Sequence, residues 1–196
     1  VLLTTFAGRV AVGDSNPFDF FGYFTNQTSL LAATAIVATA VFSLRKHTVP
    51  RWLVTARGVL TACLIVVAVI YNGLVPGTGT APGWVSIVLH IAFPAFMMLD
   101  WFLVGDRHLL GWRQLWIVLP YPLAWLGVIL IRGVTDGWVP YGFLLPERGV
   151  PSLLAHGVLL LAALLAAGAA VWAGSRTPGV LLRIDQIRLG EREPSV

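Results

Sequence analysis

His90, Pro94 and Asp100 interrupt the apolar run from Gly83 to Trp101. The run is long enough to cross the hydrocarbon core of a bilayer, which takes about 20 residues. An ionisable side chain at that depth is costly unless other helices satisfy it, so it marks a candidate functional residue. His90 is therefore the first candidate for chemistry, and other polar residues are judged by whether they reach it.

Other predicted helices bring polar side chains to the level of His90. At 1.5 Å per residue, His90 lies about 10 Å from the start of its helix. A similar depth holds for Thr25, within the stretch Tyr-Phe-Thr-Asn-Gln-Thr of residues 23–28, and for polar residues near the ends of two further segments. The predicted polar level in the outer third of the membrane comprises Thr25, Asn26, Thr28, Tyr71, Asn72, His90 and His156.

A hydroxyl and an imidazole at one level suggest nucleophilic chemistry. A hydroxyl is protonated at its own pKa, and a histidine within hydrogen-bond reach can remove that proton. Thr25 and His90 form the predicted pair, and an amide such as Asn26 or Asn72 could donate to the oxyanion formed on attack. The substrate of such a site would be an ester that arrives laterally from the bilayer.

Each of these residues also has a purely structural interpretation. A threonine in a membrane helix commonly bonds the carbonyl four residues earlier, which applies to both Thr25 and Thr28. A histidine such as His90 or His156 can serve as an interhelical hydrogen-bonding group.

The same histidines leave cofactor alternatives open. His90 and His156, on different helices at similar depth, could ligate a haem. The single cysteine, Cys63, excludes a disulfide within the chain, and the only lysine, Lys46, falls in a predicted loop, which excludes retinal-type Schiff-base chemistry. A metal ion would need a third ligand from the outer loops, namely Asp14, Asp19, Asp136 or Glu147. We expect no metal and no cofactor, with haem as the alternative.

The composition indicates a polytopic membrane protein. Of the 196 residues, 57% are hydrophobic and 11% are charged, and the mean hydropathy is +0.82, outside the range of soluble domains. The net charge of +4 does not indicate nucleic-acid binding, because the basic residues lie between hydrophobic runs, as topology signals do.

The apolar runs predict an all-α bundle of about six transmembrane helices within one domain, residues 1–174. The predicted spans are residues 1–12 (a truncated helix), 20–44, 56–75, 83–104, 113–131 and 151–174. Ten of the 13 Lys and Arg residues fall in the second connection, the fourth connection and the tail, which lie on one side of the predicted bundle. The connections on the opposite side hold the other three. This charge bias predicts that both termini are cytoplasmic. The ten are Arg45, Lys46, Arg51, Arg57, Arg107, Arg113, Arg176, Arg183, Arg188 and Arg192.

The segments between and after the helices carry further predictions. Residues 76–82 are predicted to form a turn, and Asp100 is predicted to pair with Arg107 or Arg113 near the cytoplasmic face. Pro120 and Pro122 predict a kink. The basic tail, residues 175–196, predicts either an amphipathic helix on the inner leaflet or a disordered segment.

Aromatic residues are concentrated in the outer connection before the last helix. Trp138 and Tyr141 lie within residues 137–143, Gly-Trp-Val-Pro-Tyr-Gly-Phe. Such residues form either an interfacial aromatic belt or a lid over an outward-facing pocket. Trp138 and Tyr141 are therefore candidate substrate-binding residues.

Several of these motifs resemble one known family. Tyr23-Phe24-Thr25, Trp84-x5-His90 followed by Pro94, and the 137–143 stretch are similar to the androgen-induced and androgen-dependent TFPI-regulating protein family, and the stretches 24–31 and 120–125 to its bacterial six-helix relatives. The resemblance implies a membrane threonine hydrolase of fatty-acid esters of hydroxy fatty acids, with Thr25 and His90 in the catalytic positions. Ile87 stands where the animal motif is expected to carry an extra histidine, and His156 has no counterpart.

The sequence thus predicts a lipid-ester hydrolase of the bacterial plasma membrane, whose partners are membrane lipids and the ester substrate. The alternative is a non-catalytic module that binds lipid or haem, or a subunit of a larger membrane complex. A transporter is disfavoured, because the two halves of the chain show no repeat and acidic residues near the midplane are lacking.

Overall fold

A computed structural model describes residues 1–74 and 81–179, and all regular structure in these ranges is helical. The predicted all-α bundle is therefore confirmed. Two short 3₁₀ turns, Gly142–Leu144 and Pro146–Arg148, lie in the connection before the last helix. The helices are α1 (Leu2–Ala11), α2 (Pro17–Gly22), α3 (Phe24–Leu44), α4 (Arg51–Leu74), α5 (Gly83–Val104), α6 (Trp112–Thr135) and α7 (Val150–Gly174).

Helices α3 to α7 are long and apolar enough to cross a membrane, which makes this a multi-pass membrane protein. The first predicted span instead forms α1, whose ten residues extend about 15 Å, half the hydrocarbon core. The described residues therefore contain five membrane-length helices, and five crossings put the start of α3 and the end of α7 on opposite faces. The prediction that both termini are cytoplasmic depended on a sixth crossing by the first predicted span. Residues 76–80 of the predicted turn and residues 180–196 of the predicted tail lie outside the described residues, so neither prediction is tested.

The predicted helix at 20–44 is divided at Tyr23. The Asn16 side chain accepts a hydrogen bond from the Phe18 amide and Pro17 opens α2, both typical of helix starts. Tyr23 is extended, with φ −68° and ψ 126°, and α3 begins at the next residue. This break places Thr25 in the first turn of a new helix, where backbone amides lack helical acceptors.

Helix α4 is the centre of the bundle. It packs against α3 on one side and α7 on the other, and Ala62, Cys63 and Leu64 are fully buried in it. Two tryptophans, Trp101 of α5 and Trp172 of α7, fill the core beside it and donate their indole N–H groups to backbone carbonyls. Close packing around α4 therefore holds the other helices in position.

Helices α5 and α6 are irregular. Helix α5 contains two π-helical stretches, Val88–Ala92 and Asp100–Val104, and ends at Gly105 with φ +77°, the left-handed conformation that glycine favours. Helix α6 is a 3₁₀ helix over Trp112–Val118 and an α-helix from Pro120. The change falls where the two prolines, which have no amide hydrogen, were predicted to disturb the helix.

At the end of the bundle opposite His90, Arg57 is fully buried. Its guanidinium donates to both carboxylate oxygens of Asp106, one of them at 2.9 Å, and its Nε lies 3.3 Å from Asp100. The prediction that Asp100 pairs with Arg107 or Arg113 is therefore wrong. Arg107 donates instead to the carbonyl oxygens of Gly174 and Thr177 at 2.9 and 3.0 Å.

Candidate functional site

An apolar cavity of about 100 Å³ lies at the His90 end of the bundle, hereafter the site end. Helices α3 to α7 and the 137–143 stretch all contribute to its wall. Apart from the indole of Trp125, four of its lining residues carry polar groups, and these are Thr25, Tyr71, His90 and Tyr141. The remaining lining is apolar or aromatic, which makes this a site for an apolar ligand with one reacting polar group.

Thr25 and His90, the predicted pair, lie side by side in this cavity. The Thr25 Oγ1 atom is 3.4 Å from the His90 Nε2 atom, and Thr25 is only 7% exposed. The separation is longer than the usual hydrogen bond of about 2.8 to 3.0 Å. Catalytic hydrogen bonds are often this long without substrate and shorten when it binds.

The imidazole of His90 is held in one tautomer. Its Nδ1 atom lies 3.0 Å from the backbone carbonyl oxygen of Ser86, one turn earlier on α5. A carbonyl can only accept, so Nδ1 carries the ring hydrogen and Nε2 presents its lone pair to Thr25. The Tyr71 ring stacks on the imidazole with centroids 3.5 Å apart and planes 9° apart. The ring is therefore oriented as a general base requires.

Asn72 contacts the backbone of His90 and not the cavity. Pro94 has no amide hydrogen, so it cannot bond the carbonyl of His90 as residue i+4 does in an α-helix. The Asn72 amide donates to that carbonyl at 3.2 Å, and also to the carbonyl of Ala68 at 2.8 Å. Asn72 thus joins α4 to the π-helical stretch that carries His90.

Tyr141 lies over the first turn of α3. Its ring packs at 6.0 Å from that of Tyr23 and at 5.8 Å from that of Trp125. Burial raises the pKa of the Tyr141 phenol, and hydrogen bonding with Thr25 and with the backbone of Phe24 opposes the rise only in part. The phenol is therefore neutral at physiological pH and keeps a hydrogen to donate.

Asn26 and Thr28 have local roles beside the cavity. The Asn26 amide donates to the carbonyl of Phe20 at 2.8 Å, which bridges the break between α2 and α3. The Thr28 hydroxyl is fully buried and lies 3.0 Å from the hydroxyl of Tyr121 on α6. Neither residue lines the cavity.

The aromatic connection folds back over α2. Trp138 occupies the space where a Cβ on Gly22 would stand, so only glycine fits there. The Arg132 guanidinium lies 4.2 Å from the Trp138 ring centroid and donates to Asp19 at 2.8 Å. These contacts hold the connection in place beside the cavity, where Tyr141 and Phe143 form part of the wall.

His156 lies outside the cavity lining. Its Nδ1 donates to the Ser152 carbonyl at 2.8 Å, and its ring stacks at 5.7 Å on Phe143. In residues 1–74 and 81–179, no three or more His, Cys, Asp or Glu side chains are grouped so as to hold a metal ion. Haem ligation by His90 and His156 stays an untested prediction.

Some residues of the site were not identified from the sequence. Ser86 orients His90 through its backbone carbonyl. Its position four residues before His90, on the same helical face, could have indicated this contact. Tyr121 is the buried partner of Thr28, and Trp125 donates from Nε1 to the carbonyl of Gly22 at 2.8 Å while lining the cavity. Nothing in the local sequence indicates these two contacts, because both join residues more than 90 positions apart.

Comparison with known proteins does not identify a relative. No protein-family model matches the chain, and no curated protein or solved structure matches it significantly. The resemblance described above therefore rests on its quoted motifs, and the function has to be inferred from the geometry of the cavity.

Proposed function

We propose that this chain is an integral-membrane hydrolase of a lipid ester, with Thr25 as the nucleophile and His90 as the general base. The observation that carries the proposal is the alignment Ser86 carbonyl, His90 Nδ1, His90 Nε2 and Thr25 Oγ1, with separations of 3.0 and 3.4 Å. A nucleophile next to a base, with the base oriented by a third group, is the arrangement that covalent catalysis requires.

The reaction takes two steps. The Thr25 oxygen attacks the ester carbonyl while its proton passes to His90 Nε2, and the leaving alkoxide takes that proton as the carbon–oxygen bond breaks. Water then attacks the acyl-threonine, losing a proton to His90, and the Thr25 oxygen takes that proton back as its bond to the acyl carbon breaks and the fatty acid leaves. The Tyr71 ring, stacked on the imidazole, favours its cationic form between these transfers through the negative charge of its face.

The oxyanion of the tetrahedral intermediate needs donors at the same place. The neutral Tyr141 hydroxyl is one, and it is held over the start of α3 by hydrogen bonds with Thr25 and with the backbone of Phe24. The positive end of the α3 dipole adds to this stabilisation.

The substrate class follows from the lining of the cavity. Its apolar walls suit an acyl chain, and its position within membrane-length helices suits an ester that resides in a bilayer. The resemblance supports a fatty-acid ester of a hydroxy fatty acid or a similar lipid, and the plasma membrane of a bacterium as the location.

A fluorophosphonate probe tests the proposal. The purified protein should be labelled, and Thr25→Ala or His90→Ala should lower the labelling rate on the order of 1000-fold, because each removes one partner of the reacting pair. His156→Ala is the matched control, since that histidine lies behind Phe143, and should label at nearly the original rate. Labelling that persists in Thr25→Ala would exclude the assigned nucleophile.

The rival function is a non-catalytic lipid-binding module, which the apolar cavity alone would also support. A wild-type protein that copurifies with lipid but neither reacts with the probe nor hydrolyses esters would favour it. An absorbance spectrum distinguishes the haem alternative, which requires a Soret band that is lost in His90→Ala.

A further inference from the structure

The cavity beside Thr25 is smaller than any long-chain ester. Its volume is about 100 Å³, whereas an engineered apolar cavity of about 150 Å³ holds only a benzene-sized ligand. A lipid that reacts at Thr25 must therefore have most of its length outside this cavity. The wall has to open where the rest of the molecule can lie.

One open part of the wall lies between α6 and α7. The 3₁₀ stretch of α6, Trp112–Val118, packs on α7, and α4 packs along α7 as well. From Pro120 onward the backbone of α6 scarcely approaches α7. The cavity lining nevertheless includes Pro122, Leu123 and Leu126 on one side and Gly157, Leu160 and Leu161 on the other. The cavity thus extends into a gap between the two helices.

The gap faces the surroundings of the helical bundle, which in a membrane are lipid chains. Leu123 on α6 is 43% exposed, and Val158, next to Gly157 on α7, is 66% exposed. A Cβ placed on Gly157 would meet no atom within 4 Å, although Gly157 lines the cavity. The missing side chain therefore leaves open space at the mouth of the gap.

We propose that the gap between α6 and α7 is a lateral portal that admits one acyl chain of a membrane lipid to Thr25, and that Gly157 keeps it open. This proposal rests on the proposed function for the role of Thr25. The route of the acyl chain through the gap does not depend on that function. The narrow apolar lining fits a single chain, and the four polar groups at the site end leave room for one ester group beside them. A phospholipid with two chains would have to leave the second chain in the bilayer.

Gly157→Phe tests the portal, with Val158→Phe as its matched control. Both substitutions add the same ring to adjacent positions of α7, but only the first points into the gap. The protein in liposomes is treated with a long-chain alkyl fluorophosphonate or with a short-chain one. We expect Gly157→Phe to slow labelling by the long-chain probe at least about tenfold more than labelling by the short-chain probe, while Val158→Phe resembles wild type with both. Equal long-chain labelling of Gly157→Phe and wild type would overturn the portal.

A crosslinking measurement keeps the portal testable if the hydrolase proposal fails. Vesicles that contain a fatty-acyl lipid with a diazirine near the chain end are irradiated with wild type, Gly157→Phe or Val158→Phe. The portal predicts adducts on residues 160–164 in wild type and Val158→Phe, and their loss in Gly157→Phe. Such adducts in a protein inert to both fluorophosphonates would support the portal and contradict the hydrolase. Absence of cavity adducts in wild type would overturn the portal.

Discussion

The imidazole of His90 is oriented by a backbone carbonyl, where serine hydrolases use a carboxylate. A carboxylate both fixes the tautomer and stabilises the imidazolium by its charge. The Ser86 carbonyl fixes the tautomer with a dipole only, so stabilisation of the cation falls partly to the Tyr71 ring face. A charge-free arrangement suits the membrane interior, where an additional buried carboxylate would itself be costly.

Tyr141→Phe isolates the proposed oxyanion donor. Loss of one such donor typically lowers the rate by about 100-fold to 1000-fold, and we expect a decrease of that order in hydrolysis or probe labelling. The raised pKa of Tyr141 means that its phenol stays neutral above its ordinary range, so wild-type activity should not decline through its ionisation between pH 7 and about pH 10.

The control for this prediction is Tyr23→Phe, which removes the hydroxyl of the tyrosine whose ring packs against Tyr141. A Tyr141→Phe rate equal to that of Tyr23→Phe would assign Tyr141 a packing role only. The thermal midpoints of both variants show whether the fold has changed.

At the scale of helices, departures from α-helix geometry decide where side chains point. The π-helical stretch Val88–Ala92 carries His90 just before Pro94, and Asn72 of α4 binds the carbonyl that the proline leaves free. In α6, the 3₁₀ stretch packs on α7, and the α-helical part that follows it lies away from α7. The π-helical stretch borders the cavity through His90, as π-bulges often do at functional sites, and the α6 lining begins at Pro122, just after the 3₁₀ stretch.

Arg57 joins α4 to the end of α5 through Asp100 and Asp106, and we predict that the bundle depends on it. Arg57→Met leaves the Asp106 carboxylate and the more buried Asp100 carboxylate without their ion-pair partner, which should cost about 3 kcal/mol or more of unfolding free energy. Arg51→Gln, at the exposed first residue of the same helix, should change stability by about 0.5 kcal/mol or less. Unfolding in mixed detergent micelles measures both.

The double variant Arg57→Met with Asp100→Leu sharpens the test. This variant removes the Asp100 carboxylate together with the guanidinium, so it should recover part of the lost stability. If Arg57→Met unfolds like Arg51→Gln, the ion pair contributes little and apolar packing around α4 alone accounts for this end of the bundle.

For the whole molecule, the charge distribution predicts orientation. The connection between α3 and α4 carries Arg45 and Lys46, and Arg51 follows at the start of α4, whereas the site end is poor in basic residues. The positive-inside rule therefore places the Thr25 cavity near the outer face, consistent with an ester substrate drawn from the outer leaflet.

Impermeant maleimide labelling tests this orientation in spheroplasts. Glu147→Cys, at the site end, should react directly, and His47→Cys, between α3 and α4, should react only after permeabilisation. Both parent positions are exposed, and native Cys63 is fully buried and should stay unlabelled. The reverse pattern would invert the topology without affecting the contacts within the cavity.

Hydropathy alone predicted all five membrane-length helices to within five residues at each end, but not the break at Tyr23 that separates α2 from α3. The reason is local: inside a bilayer every backbone polar group must be satisfied within its own helix, so a long apolar run has few other structures available. The common depth of Thr25 and His90 follows from the same regular rise along each helix.

Tertiary structure decided which residues at one depth actually meet. Depth places Thr25, Asn72, His90 and His156 at one level, but only the rotation of each helix about its axis turns Thr25 toward His90, Asn72 toward a backbone carbonyl and His156 behind Phe143. The pairing of Asp100 with Arg57 depends on α4 and α5 being neighbours. Such rotations and neighbours result from side-chain packing between segments distant in sequence, a property that no single segment encodes.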